Sequence, residues 1–370
     1  MKKTLATCLC IIFALTATLT GCTEAPKQEA KPESANASQS SVTSGAAQEA
    51  GELPVVRVAV LDQQTGLAAW YISQQGWDVD AGFKIELQVY SSGAPANEAL
   101  GARLWDIGCI GAAAVNSIRA YDAKQIAEYY TPSGDINIMA RNGSKVMDVK
   151  GVNSDYPEIY GDADSVRGAT IILPVGSGHH ICASKWLSAL GLTESDVSIV
   201  NMEFAQGYQA FISGEGDFFA CSYPYADLLL DDGYQKACVM TDLNVPYYDN
   251  VIVSSDFYNK ADSKEIMTSF VELILKAGDH FAADTEDYVA QNCEYLALNG
   301  KDTSDSETMH VATLKNIFLT SEEAKSHPVG SSLRVIAEFQ VQQGSITEDD
   351  LSKVEGNIDQ TIMDAALKRF

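Results

Sequence analysis

The sequence predicts an α/β fold of two lobes with a helical C-terminal part. Three observations carry this. Short β-branched runs alternate with helical stretches from Leu53 onward, the pattern of a sheet covered by helices. A polar segment at 142–168 splits that alternation into two units, and from Ser263 the pattern is almost wholly helical. With 370 residues, 46% of them hydrophobic, the chain is long enough to bury a core in each lobe.

The first element is a leader. Lys2 and Lys3 precede an apolar stretch at 5–19 and then Leu19-Thr20-Gly21-Cys22, so residues 1–21 read as a secretory signal. The apolar stretch is shorter than the ~20 residues a spanning helix needs. Residues 22–52 are rich in Ala, Ser, Glu, Gln, Thr and Lys after Cys22, with no aromatic side chain. Such a segment buries too little apolar area to offset its ordering entropy, which predicts a disordered tether.

In the first unit, strands are expected at 54–61, 85–90, 107–110, 125–129 and 136–140. Helices are expected at 67–75 and 97–103, and from Ala112 on. Residues 142–168 read as loop, and the acidic part at 150–166 as exposed. The second unit offers strands at 169–173, 197–202, 217–221 and around Val239, with helices at 179–190 and 206–213. Tyr223-Pro224-Tyr225 opens a further helix, proline suiting a first turn. Residues 248–253 cross back to the first unit. Helices then follow at 263–283, 284–298, 307–318, 329–343 and 357–369. The expected division is 53–141 plus 250–370 for lobe 1 and 142–249 for lobe 2.

Several runs resemble a known family. Gly66-Leu67-Ala68-Ala69-Trp70-Tyr71-Ile72 precedes Gly76-Trp77-Asp78, with Gly82-Phe83-Lys84-Ile85 further on. Later come Leu104-Trp105-Asp106-Ile107-Gly108, Val166-Arg167-Gly168-Ala169-Thr170-Ile171, Phe211-Ile212-Ser213-Gly214-Glu215-Gly216-Asp217 and Tyr223-Pro224-Tyr225. Their order resembles the nitrate/sulfonate/taurine and thiamine-pyrimidine class of solute-binding proteins. The resemblance implies a periplasmic-binding-protein type II fold, two lobes joined by two crossovers. It also implies capture of a small molecule between the lobes, delivery to an ABC permease, a monomer and no cofactor. Leu19-Thr20-Gly21-Cys22 resembles the lipobox of bacterial lipoproteins. That implies cleavage before Cys22, lipidation of Cys22, palmitate included, and a place on the extracytoplasmic face of the cell membrane.

Ligands of open α/β sheets bind beyond the carboxyl ends of strands. Four expected strand ends carry turn residues: Gln64 and Thr65, Ser92 and Gly93, Gly111 and Ala112, and Ser177 and Gly178. The helix N-termini that follow offer free N–H groups and a partial positive charge, suited to sulfonate or carboxylate. His179 follows Ser177 and is placed to contact an anion or an aromatic ring; no partner spacing makes it a metal ligand. Trp70, Tyr130 and Tyr223 are expected at the cleft edge as stacking walls for flat ligands, a pyrimidine among them, or cationic ones. Asp135, after Thr131-Pro132-Ser133-Gly134, reads as a solvated loop acid, with a ligand amine as the other partner open to it.

The charge narrows the function classes. With 25 Lys+Arg against 50 Asp+Glu the net charge is −25, and losing Lys2 and Lys3 with the leader moves it to −27. A basic footprint for nucleic acid is missing, as is a polybasic patch for anionic lipid. The five cysteines beyond Cys22 form no CxxC pair and no disulfide framework. Neither GxSxG, HExxH nor a P-loop is present, nor the Cys-rich motif of the pyrimidine synthases that share the fold. The leading expectation is therefore a lipid-anchored solute receptor. An enzyme on the same fold and a ligand-sensing lipoprotein without a permease stand as its alternatives.

Overall fold

The computed structural model describes residues 53–370; the expected leader at 1–21, the expected tether at 22–52 and Cys22 lie outside the described residues. Among the described residues, eleven strands form two sheets. They are β1 Val55–Leu61, β2 Lys84–Tyr90, β3 Ile107–Ile110, β4 Lys124–Thr131, β5 Asn137–Ala140, β6 Thr170–Leu173, β7 Ser198–Asn201, β8 Phe218–Cys221, β9 Gln235–Val239, β10 Asp249–Val253 and β11 Ile317–Phe318. The first sheet runs β11-β4-β10-β3-β1-β2 and the second β7-β6-β8-β5-β9.

In the first sheet β1 pairs in parallel with β2 and β3, with Val58 opposite Leu87 and Ile107. β10 enters antiparallel between β3 and β4, with Val251 opposite Cys109 and Ala127. β3 and β10 are buried along their whole length and β1 along most of it, as expected of strands covered on both faces, while the edge strand β2 is mostly exposed or half-buried. The second sheet repeats the plan: β6 is parallel to β7 and β8, and β5 is antiparallel to β8 and β9. The chain thus leaves the first sheet after β4 and returns at β10. Residues 132–136 and 240–248 are the two crossings.

Three expectations are corrected. The strand Asn137–Ala140, kept with lobe 1 by a boundary at 141, hydrogen-bonds to β8 and β9 in the second sheet. Its apolar run does not announce which sheet it joins. The helix expected at 307–318 stops at Leu314, and Ile317–Phe318 pairs with β4 instead. Between them the Asn316 amide donates to the Gln64 side chain and to Ala312 O, both at 3.0 Å, and turns the chain. The segment at 150–166 is not merely exposed. Ile159 and Val166 are fully buried, Tyr160 N–H donates to Ala237 O, and Trp186 Nε1–H donates to Tyr160 O. The acidic stretch is a flap stitched to β9 and to the helix Gly178–Ala189.

The C-terminal helices brace the first sheet. Ser263–Ala283 packs on Leu67–Gln74 and on Gln360–Leu367. Glu348–Glu355, which sequence reading left without an element, packs with Ser331–Gln342 against the helix Ala114–Tyr121. Cys109, Cys182, Cys221 and Cys238 are buried and unbridged, acting as small apolar side chains.

Candidate functional site

The carboxyl ends of β1, β2, β3 and β6 converge on one cavity, and both crossings pass along it. The space open to a water-sized sphere is about 80 Å³, and all the space out to the mouth is about 780 Å³. Each strand end feeds a helix: Gln64–Gly66 leads into Leu67–Gln74, Ser92 precedes Gly93–Gly101, Gly111 precedes Ala114–Tyr121, and Ser177 caps Gly178–Ala189.

Gln64, Thr65, Ser92, Gly93, Gly111, Ala112, Tyr130, Ser177, Gly178, His179 and Tyr223 all line this cavity. Trp70 does not. It is 5% exposed and packs against Tyr295, ring centroids 5.7 Å apart. The residues Leu67 to Ile72 are all buried, so that face of the helix belongs to the core.

Most of the lining hydroxyl and amide groups are already engaged. The Gln64 amide donates to Tyr288 and to Thr313 O and accepts from Asn316. Thr65 Oγ1 donates to Asp249 Oδ2 at 2.6 Å, and Tyr129 donates to Thr65 O at 2.7 Å. Ser92 Oγ donates to Glu203 Oε1 at 2.9 Å. Ser177 Oγ donates to Pro174 O at 2.7 Å and accepts the His180 N–H as a helix cap, so its proton is committed. His179 Nε2 lies 2.7 Å from Ser222 Oγ, with its ring edge-on to Phe204. Burial lowers the His179 pKa to about 3, so the ring is neutral at pH 7.

The carboxylates are the opposite case. Asp135 and Asp249 are each 4% exposed. Asp135 Oδ2 accepts the Tyr223 N–H at 2.9 Å, and its Oδ1 has no partner. Burial, opposed chiefly by that backbone hydrogen bond, raises the Asp135 pKa to about 6. Asp249 Oδ1 also lacks a partner in hydrogen-bonding geometry, although the Tyr247 hydroxyl lies against the group. Burial raises Asp249 to about 7. A third carboxylate, Asp62, pairs with Lys301 at 2.9 Å and leaves its Oδ1 unpartnered. Lys301 is the one Lys or Arg among the lining residues, and that ion pair engages it.

Tyr247 holds the two halves together. Its hydroxyl accepts the Ala112 N–H at 3.0 Å and sits where a Cβ of Gly111 or of Gly178 would be. Glycine is required at both positions for that approach. The Ala112 N–H, just before the helix Ala114–Tyr121, is therefore taken by the protein's own Tyr247 hydroxyl, with the Asp249 carboxyl beside Gly111.

Sequence reading missed Asp249, Tyr247, Asp62, Lys301, Phe204 and Ser222 as lining residues, and took Asp135 for a solvated loop acid. A signal existed for Asp249: an acid opening the apolar strand Asp249–Val253. For Asp135 the sequence of a Pro-Ser-Gly-Asp turn gives no hint that the turn is a crossing between sheets. Among the described residues, no group of three or more His, Cys, Asp or Glu side chains is placed to hold a metal ion, and no helix is long and apolar enough to cross a membrane.

Known proteins resemble this chain in sequence and in fold. The family model described as NMT1/THI5 like matches residues 64–287. A protein of Brachyspira hyodysenteriae named as an ABC transporter periplasmic binding protein is 35% identical over 317 residues, covering 86% of this chain and 91% of that one. Among solved structures, the periplasmic nitrate-binding protein NrtA from Synechocystis superposes with a TM-score of 0.68 at 12% identity, covering 86% of this chain and 89% of that one. The alkanesulfonate-binding protein SsuA from Xanthomonas axonopodis pv. citri, bound to MOPS, gives a TM-score of 0.63 at 17% identity, covering 84% and 99%. At such identities the structural likeness establishes the periplasmic-binding-protein fold.

Proposed function

This chain belongs to the NMT1/THI5-like family, and from that premise we propose that it is the extracytoplasmic solute-binding receptor of an ABC importer. The receptor holds one small organic molecule in the cavity between its two sheets and hands it to the permease. The observation that carries this reading is the convergence of four strand ends and both crossings on one cavity lined by eleven of the twelve expected residues. The two sheets contribute to it jointly, so a ligand there favours their approach. Cys22 carries the lipid that keeps the receptor at the membrane, and residues 22–52 give it reach. The family membership and the leader pattern support that placement.

A thermal-shift screen of sulfonates, carboxylates, pyrimidines and amines tests the receptor reading. A ligand at a hundredfold excess over Kd adds about 2.7 kcal/mol of stability. At least one compound is expected to raise the melting temperature and to be recovered unchanged. Absence of any shift, or chemical conversion of the compound, would contradict it. Metabolic labelling with palmitate is expected on the wild type and not on Cys22→Ser.

A further inference from the structure

We infer that the solute is an organic cation, an amine or amidine carried on an apolar or aromatic body. This rests on the receptor reading and gives its ligand a chemical class. The cavity wall holds three carboxylates, Asp62, Asp135 and Asp249, against one cation, Lys301. Lys301 is paired with Asp62, so the lining gives Asp135 and Asp249 no countercharge; behind the lining Lys236 and Lys315 face Asp135, with Lys315 3.8 Å from Asp227.

Asp135 Oδ1 is buried without a hydrogen-bond partner, and Asp249 Oδ1 is buried with only the Tyr247 hydroxyl against it, out of hydrogen-bonding geometry. A buried carboxylate left half-satisfied is costly, and in a binding wall the missing donors are supplied by the ligand. Other lining groups cannot reverse the sign. His179 is neutral, Ser177 and Thr65 have committed their protons, and the Ala112 N–H is taken by Tyr247. An anion entering this cavity would meet two buried carboxyl groups, with Lys236 and Lys315 beside Asp135 outside the lining, and few free donors. An N–H-bearing cation satisfies both carboxylates, in charge-assisted hydrogen bonds about twice as strong as neutral ones. Phe204, Tyr130 and Tyr223 supply the apolar and aromatic walls for its body.

The test is a thermal-shift and calorimetric comparison at pH 7.5 of two panels. One holds phenethylamine, benzamidine and agmatine; the other holds taurine, methanesulfonate, nitrate and benzoate. The expectation is a raised melting temperature with members of the cationic panel alone. Asp135→Asn and Asp249→Asn should each weaken binding of the same compound at least tenfold. Both variants should melt without ligand at or above the wild type, which shows that they fold. A shift by the anionic panel alone overturns the cation assignment and leaves the receptor reading standing. Silence of both panels overturns both. Full cation binding by two folded variants also overturns the assignment.

Discussion

Asp135 concentrates the tension in this molecule. Its carboxyl is buried under Tyr223 and faces Lys315, Lys236, Asp227 and Cys221, yet burial outweighs the nearby lysines and lifts its pKa from 3.8 to about 6. Between those values the folded state keeps a proton that the unfolded chain has released. Stability contributed by this group is therefore full below about 4 and is lost as pH rises through about 6. Asparagine keeps an acceptor for the Tyr223 N–H and removes the charge. Asp135→Asn should raise the unliganded melting temperature at pH 7.5 and raise it less at pH 5. An equal or larger gain at pH 5, or a loss at pH 7.5, would contradict the assignment. At this scale the sequence was partly legible. Gly93, Gly111 and Gly178 stood out because strand ends need glycine where another backbone or hydroxyl comes close. Trp70 misled because a helix one turn from a cleft can still turn its whole first face into the core. Asp135 and Asp249 gave weak signals because burial of an acid comes from packing between distant segments.

At the level of elements, capping decides what forms. The helix Glu348–Glu355 has few apolar residues, so periodicity did not reveal it. Its signal is chemical: Thr347 Oγ1 accepts the Asp350 N–H at 3.2 Å, Asp350 Oδ2 accepts the Thr347 N–H at 3.0 Å, and Glu348, Asp349 and Asp350 fill the first turn. The helix matters to the cavity because it braces Ala114–Tyr121, and the residues leading into that helix, Gly111 to Ala113, line the cavity. Val354 is fully buried, and Lys353 Nζ donates to Arg119 O at 2.8 Å while pairing with Asp122. Loss of the cap in Thr347→Ala should lower stability by about 1 kcal/mol, read as a lower denaturant midpoint with an unchanged slope. An unchanged midpoint would show that packing alone holds this helix. Most strands, by contrast, were legible as apolar runs, though Ile317–Phe318 was read as the end of a helix, and the pairing of the strands was not legible. Asn137–Ala140 and Ile317–Phe318 are too short for a local pattern to name the partner strand.

For the whole molecule, topology makes the site. Two sheets of similar plan are joined by crossings at 132–136 and 240–248, and the crossings bring Asp135, Tyr247 and Asp249 beside strand ends distant in sequence. The two-lobed α/β plan was readable from alternation and from one polar divide. The chemistry of the cavity was not, because it arises only when both crossings and two sheets meet. Native mass spectrometry tests the central claim most directly: the folded body, residues 53–370, is incubated with a metabolite extract below 1 kDa and freed of excess solute. The account predicts one small-molecule adduct per chain, released on denaturation with the same mass it has in the extract. A bare chain, or an adduct released in altered form, would contradict capture of a solute for transport.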